Sequence, residues 1–225
     1  MSASILQTYA DREEIANTLT HGLGIVLAVI GTIVLLFAAG ASGAPYALAA
    51  CAVYGATMIV LYLASTLYHG AGIQRTSEVA PPRVRLRAFD HIAIFLLIAG
   101  TYTPYVLITL RGTWGWSLFA IIWSLAALGV IFELSSLRRF RGAMVALYIG
   151  MGWVGLVAIK PLVAALAPAG LWLLFGGGAM YTLGVIFYKL RRLPYHHAIW
   201  HLFVLAGSVM QYFSILRYVL PGAAS

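Results

Sequence analysis

Two histidines near the C-terminal end of the chain have the spacing of metal ligands. His197 and His201 lie four residues apart, so on a helix both imidazoles project from one face, one turn apart. Zinc-binding helices present two ligands to one ion with this spacing. The pair also opens an apolar stretch long enough to enter a membrane. Because a histidine pair is a weak signal alone, a metal site requires a third ligand at the same depth.

The composition places these residues in a membrane protein. Of the 225 residues, 62% are hydrophobic and 9% are charged, whereas a soluble domain carries about 25% charged residues. The mean hydropathy is +0.94. The single cysteine, Cys51, lies in an apolar stretch, which excludes a disulfide framework within the chain.

Hydropathy predicts an all-α bundle of seven transmembrane helices. Long continuous apolar segments exclude a β-barrel, whose strands are short and alternating. The predicted helices cover residues 18–40, 45–69, 89–110, 114–136, 142–160, 169–188 and 196–219. They form one domain, 18–219, after a short polar segment, 1–17, that lacks the basic start of a secretory signal.

The basic residues predict the orientation of this bundle. With seven spans, the N-terminus shares a side with the second, fourth and sixth loops. That side carries Arg12, Arg75, Arg83, Arg85, Arg87, Arg138, Arg139, Arg141, Lys189, Arg191 and Arg192. The other side carries Arg111, Lys160 and Arg217. The positive-inside rule therefore predicts a multi-pass protein of the inner (plasma) membrane, with a cytoplasmic N-terminus and an extracytoplasmic C-terminus.

All the histidines and the intramembrane carboxylates fall at one depth in this topology. His21 begins the first helix, His69 ends the second, Asp90 opens the third and Glu133 lies near the end of the fourth. His91 follows Asp90, and His196 begins the last helix with the metal-spaced pair. Since ionisable groups inside a membrane usually mark function, this layer is predicted to be a site.

Zinc is the simplest interpretation of that layer. His69, His197 and His201 supply three imidazoles and leave a fourth position for water, as in catalytic zinc sites. Ser65 lies one turn before His69 on the same face, and Asp90 can orient the water or take its proton. Zinc lowers the pKa of a bound water to about 7. The predicted chemistry is hydrolysis of an amide or ester.

Each candidate also has a structural explanation. His69 can cap a helix end, the histidine pair can be a polar helix start, and Asp90 can be an N-cap. His91 and His196 point to other helix faces and are predicted to support the site without ligating. His21 and Asn17, with Glu14, form either a capping cluster or a supporting one. Glu133 is predicted to pair with Arg138 or Arg139.

Four motifs resemble one family over nearly the whole chain. They are Glu14-x-x-Asn17-x-x-Thr20-His21, Ser65-x-x-x-His69, Phe89-Asp90-His91 followed by Ala99-Gly100-Thr101-Tyr102-Thr103-Pro104, and Pro194-x-x-His197-x-x-x-His201. Together they resemble the hemolysin III branch of the progestin and adipoQ receptor (PAQR) family. Where members of that family often carry a further histidine later in the last helix, this chain has Gln211.

The resemblance implies seven helices, a cytoplasmic N-terminus and a zinc ion near the inner leaflet. It assigns the zinc ligands to His69, His197 and His201, the water-holding aspartate to Asp90 and the accompanying serine to Ser65. The wider superfamily includes alkaline ceramidases, which hydrolyse a lipid amide.

Three functions follow as hypotheses. The first is a zinc-dependent hydrolase of a lipid amide or ester, with membrane lipids as partners and Zn²⁺ as cofactor. The second is a sensor or regulator of membrane lipids in which zinc is mainly structural. The third is cytolysis, which the name hemolysin implies. A nucleic-acid partner is not expected, because the basic loops are short and lack interleaved aromatics, and no obligate protein partner is evident.

Overall fold

The computed structural model describes residues 3–73 and 81–221. Arg75, counted above for the orientation, lies outside these residues. The described chain forms α1 (Ala3–Ser42), α2 (Ala47–Gly70), α3 (Pro81–Pro104, continued by π-helical turns Tyr105–Leu110), α4 (Gly112–Leu134), α5 (Arg141–Trp153, continued by a 3₁₀ stretch Val154–Ala158 and by Ile159–Ala165), α6 (Pro168–Lys189) and α7 (His196–Ser214, continued by Ile215–Val219).

Seven helices in the described chain are long and apolar enough to cross a membrane, which confirms the predicted fold class. A helix satisfies its own backbone hydrogen bonds, and the hydrocarbon interior allows little else. Large apolar side chains remain on the outside of the bundle, with Phe37 and Trp172 77% and 78% exposed. Lipid replaces water around such a surface. Which side of the membrane each terminus faces stays a prediction.

Three helices extend beyond their predicted ends. α1 begins at Ala3 rather than at residue 18, and the additional turns carry Glu14, which bonds to His69 on α2 and Arg83 on α3. α3 begins at Pro81 rather than at residue 89, and proline is favoured at the first helical position. α5 continues to Ala165 beyond the predicted end at 160, since Pro161 falls in the first turn after the 3₁₀ stretch, where no helical bond is lost.

Buried hydroxyl groups join the helices that hold the candidate site. The Tyr62 hydroxyl on α2 donates to Ser208 Oγ on α7 at 2.8 Å. The Tyr181 hydroxyl on α6 lies 2.8 Å from the same oxygen. α1 packs against α2 and α7, and α2 packs against α3. These contacts hold the end of α2, where His69 lies, beside the start of α7.

Candidate metal centre

The end of α2 and the start of α7 bring three histidines together. His69, His197 and His201 each offer a nitrogen, and these atoms lie within 4.8 Å of one another. Nε2 of His69 is 3.2 Å from Nε2 of His197. Two nitrogens bound at 2.0–2.1 Å to one tetrahedral zinc ion lie about 3.3–3.4 Å apart. The cluster can therefore hold a metal ion.

The outer nitrogens of two of these rings have partners on α1. His69 Nδ1 lies 2.7 Å from the Glu14 carboxylate, to which it donates. His201 Nδ1 lies 3.2 Å from the backbone carbonyl of Asn17 and donates to it. The partners assign the proton to Nδ1 in both rings, which leaves Nε2 with a free lone pair for a metal.

Glu14 is a supporting residue that the sequence reasoning treated only as part of a motif and a capping cluster. One of its oxygens accepts from His69, and the other accepts from Arg83 at the start of α3. From the sequence, Arg83 was interpreted only as one of the basic residues of a loop. Helical spacing offered a signal, because Glu14, Asn17 and His21 at i, i+3 and i+7 share one helix face. The partner on α3 has no such local signal.

His21 lies directly against the cluster. Its ring stacks on His201 with centroids 3.5 Å apart and planes 12° apart, and it meets Tyr62 edge-on. Both ring nitrogens are buried and have no hydrogen-bond partner among the described residues. These are unsatisfied polar atoms at a cavity wall, so a ligand in the cavity would find a donor or acceptor there.

Ser65 and Asp90 face the same cavity as His197 and His201. Ser65 is fully buried, and its hydroxyl lies against the Asp90 carboxylate. Asp90 retains some accessible surface although it lies inside the bundle. That accessible surface faces the cavity, where the carboxylate can meet a bound water or substrate.

The cavity itself is large and mostly apolar. It has a volume of about 540 Å³ and is bordered by residues from all seven helices, α1 contributing His21. One part carries Ser65, Asp90, His197 and His201, and the wall continues along α5 to Trp153 and along α7 to Gln211. A volume in this range suits a lipid-sized or drug-sized molecule.

Two candidate supporting histidines have different surroundings. His91 lines the cavity, and its Nδ1 lies 3.3 Å from the Glu133 carboxylate, at ion-pair distance but not aligned as a hydrogen bond. The predicted pairing of Glu133 with Arg138 or Arg139 is therefore wrong: the carboxylate is buried inside the bundle, while both arginines are exposed in the turn after α4. His196 is not among the residues that line the cavity.

The donor set fits zinc. Three imidazole nitrogens beside an open cavity match sites that keep one position for water or substrate. The buried His21 nitrogens and the Asp90 carboxylate add polar groups that a ligand at this place would satisfy. Histidine also binds other divalent ions.

Seven apolar helices around a buried cluster of three histidines define a polytopic membrane protein with a candidate metal site inside the bundle. The chain belongs to the haemolysin-III related family, whose sequence profile matches residues 9–212. The resemblance drawn from the four motifs is thereby confirmed.

Relatives match along most of their lengths. The chain is 49% identical to "Hemolysin-3" of Bacillus cereus over 213 residues, which cover 95% of this chain and 94% of the relative. It is 42% identical to the "Hemolysin-3 homolog" of Bacillus subtilis (strain 168), covering 92% and 94%. The human "Monocyte to macrophage differentiation factor" is 27% identical over 208 residues, covering 92% of this chain and 84% of that protein.

Proposed function

We propose that this protein is a zinc-dependent membrane hydrolase that cleaves a lipid amide or ester. The observation that carries the proposal is a three-histidine cluster whose members His197 and His201 line a cavity together with a carboxylate, a serine and an apolar wall. A structural zinc site more often closes with a fourth protein ligand, whereas this cluster borders open space. The apolar wall offers room for an acyl chain from the surrounding lipid.

His69, His197 and His201 would hold the ion through ring nitrogens. When bound, zinc polarises the acyl carbonyl and lowers the pKa of a water to about 7. Glu14 and the Asn17 carbonyl orient two of the rings. His21, which has buried and unpartnered nitrogens, offers a hydrogen-bond donor to the substrate's carbonyl oxygen.

Asp90 handles the proton in this proposal. The water oxygen bonds to the acyl carbon, and the C–N or C–O bond breaks, giving a carboxylic acid and an amine or alcohol. The Asp90 carboxylate takes a proton from the water and passes it to the leaving nitrogen or oxygen. The Ser65 hydroxyl, which lies against Asp90, holds the carboxylate in place.

The first test is metal content and hydrolysis by the purified protein. We expect about one zinc per chain in the wild type, lost in His69→Ala and in His197→Ala/His201→Ala. His196→Ala is the matched control, since it removes a neighbouring histidine of the same helix that does not line the cavity. Asp90→Asn should keep the zinc but reduce hydrolysis of lipid amides and esters by about 10²–10⁴-fold.

Each outcome separates one hypothesis from another. A folded wild-type protein without metal would contradict the zinc site. Zinc in the wild type without hydrolysis of amides or esters would favour the membrane-lipid sensor, with the metal in a structural role. An Asp90→Asn variant as active as the wild type would remove the proton-transfer role from that residue.

Cytolysis is a second candidate, because the Bacillus cereus relative carries the name of a haemolysin. Dye release from vesicles separates it from hydrolysis. A lytic protein releases dye from vesicles of a non-hydrolysable ether lipid, whereas damage caused by lipid cleavage needs a cleavable amide or ester.

A further inference from the structure

Four arginines line the same cavity as the histidines. Arg87 comes from α3, Arg138 and Arg139 from the 3₁₀ turn Ser136–Arg139 and Arg141 from the first residue of α5. The last three are exposed and Arg87 is half-buried, so together they form an entrance to the cavity. We call these four residues the arginine rim.

The arginine rim lacks carboxylate partners within residues 3–73 and 81–221. Glu14 pairs with His69 and Arg83, and Glu133 lies at ion-pair distance from His91. Several guanidinium groups close together repel one another unless an anion lies between them. A membrane protein gathers basic residues at one face for topology alone, but Arg191 and Arg192 meet that need without bordering the cavity.

The cavity behind the rim is suited to an apolar chain. From Arg141 to Trp153 its wall follows α5 for 13 residues, a rise of about 18 Å along the helix. Met144 and Tyr148 are among the lining residues of this stretch, and Val204 lines the facing α7. An entrance lined by arginines and joined to an apolar chamber matches an amphiphile with an anionic head and an acyl tail.

We propose that the cavity takes a lipid with a phosphate headgroup, which binds to the arginine rim while the acyl tail lies along α5. Guanidinium groups bind phosphate through paired, charge-assisted hydrogen bonds, and several can share its oxygens. The inference rests on the proposed function and names the substrate class: an acyl lipid whose cleavable amide or ester lies between an acidic head and the tail.

Binding can be measured without turnover when lysophosphatidate and monoacylglycerol are replaced by their ether-linked analogues, which have no ester to cleave. Wild-type protein in dodecyl maltoside, a detergent without phosphate, is titrated with lysophosphatidate, and the fluorescence of Trp153 and Trp200, which line the cavity, reports entry. Arg138→Gln/Arg139→Gln/Arg141→Gln should weaken binding tenfold or more. Arg191→Gln/Arg192→Gln removes basic charge away from the cavity and should bind as the wild type does. Thermal unfolding of each variant checks folding, and the single variant Arg138→Gln should weaken binding less, in the same direction.

Three further comparisons show which part of the ligand the protein recognises. Uncharged monoacylglycerol of the same chain length should bind at least tenfold more weakly, and equal affinity would overturn the assignment. Inorganic phosphate should compete only at far higher concentration, and competition at the lysophosphatidate concentration would show that the tail adds nothing. If both multiple-arginine variants bound lysophosphatidate equally weakly, general surface charge would explain the effect. The assignment of the headgroup to the arginine rim would then be overturned.

The inference and the proposed function fail separately. The His197→Ala/His201→Ala variant removes two of the proposed zinc ligands but leaves the arginine rim. If it still binds lysophosphatidate while no form of the protein cleaves a lipid, the ligand class stands and the hydrolase fails. If lipid amides or esters are cleaved without regard to headgroup charge, the hydrolase stands and the rim fails.

Discussion

His69 illustrates how much of the candidate site depends on contacts behind it. One ring nitrogen lies 3.2 Å from His197 in the cluster, and the other lies 2.7 Å from the Glu14 carboxylate. A carboxylate at that nitrogen fixes the tautomer, holds the ring plane and increases the basicity of the metal-facing nitrogen. Arg83 occupies the second oxygen of Glu14, so the carboxylate is fixed from two sides.

Glu14→Gln is therefore expected to weaken zinc binding by about 10–100-fold. The substitution keeps the shape of the side chain but removes the charge that faces His69 and Arg83. Competition with a chelator of known affinity measures the change without an activity assay. Asp11→Asn, one turn earlier on α1, is the matched loss of one negative charge.

The result at Glu14 would separate positioning from general stability. We expect the metal-free form of Glu14→Gln to unfold at a lower temperature than that of Asp11→Asn, because Arg83 loses its charged partner, and we expect the gap to widen on addition of zinc. Equal zinc affinity in both variants would show that Glu14 does not act through His69.

At the scale of elements, the sequence predicted the helices better than their ends and contacts. Hydropathy located seven spans because the bilayer requires about 20 apolar residues for each helix. The starts of α1 and α3 and the end of α5 were missed. On α1, Glu14 is stabilised by partners on other helices, and on α5, Pro161 is accommodated by a 3₁₀ stretch. Such tertiary effects leave no periodic pattern in the sequence.

The sequence likewise predicted some features of the candidate site and missed others. The i, i+4 spacing on α7 and the shared depth of His69 and Asp90 were readable. The structure brings His69 to the pair on α7, and that pair lines one cavity with Asp90. The pairing of Glu133 with His91 was not readable, because it depends on how α3 and α4 pack.

Packing of α6 on α7 depends on a close approach at Gly177. A Cβ added there would lie 2.7 Å from Gln211 Cγ and 2.9 Å from the backbone oxygen of Gly207. At the neighbouring Gly178 the nearest atoms belong to Trp153 at 3.7 Å, an ordinary contact. Backbone atoms cannot move aside as a side chain can, so only the first position requires glycine.

We expect Gly177→Ala to lower the free energy of unfolding by about 1–3 kcal/mol through overpacking. Gly178→Ala is the matched control, because both changes carry the same gain in helix propensity of about 1 kcal/mol. Thermal unfolding in one detergent compares the two variants. Equal midpoints would show that α6 and α7 adjust without strain.

At the scale of the whole molecule, the bundle encloses a chamber that opens beside the arginines and reaches far along α5. The helices that carry the histidines form one part of its wall, and α5 supplies much of the rest. The proposed chemistry and the room for a tail therefore belong to different helices, and they can be altered separately. Val145 lines the chamber, whereas its neighbour Ala146 is exposed on the outer surface of the bundle.

Val145→Trp is expected to fill part of the chamber and leave the histidines untouched. Zinc content should match the wild type, while hydrolysis of long-chain substrates falls roughly tenfold or more because the tail loses its place. Substrates with short acyl chains should keep most of their rate, since they need less of the α5 wall.

Ala146→Trp adds the same side chain to the lipid-facing side and should leave both rates near those of the wild type. The hydrolysis rates of the wild type and the two variants are compared over substrates of increasing acyl-chain length. If Val145→Trp slowed short and long substrates equally, the tail would lie elsewhere. If Ala146→Trp gave the same profile, the effect would arise from the bulk of tryptophan on α5 rather than from the chamber, and the α5 wall would lose its role in selecting the substrate.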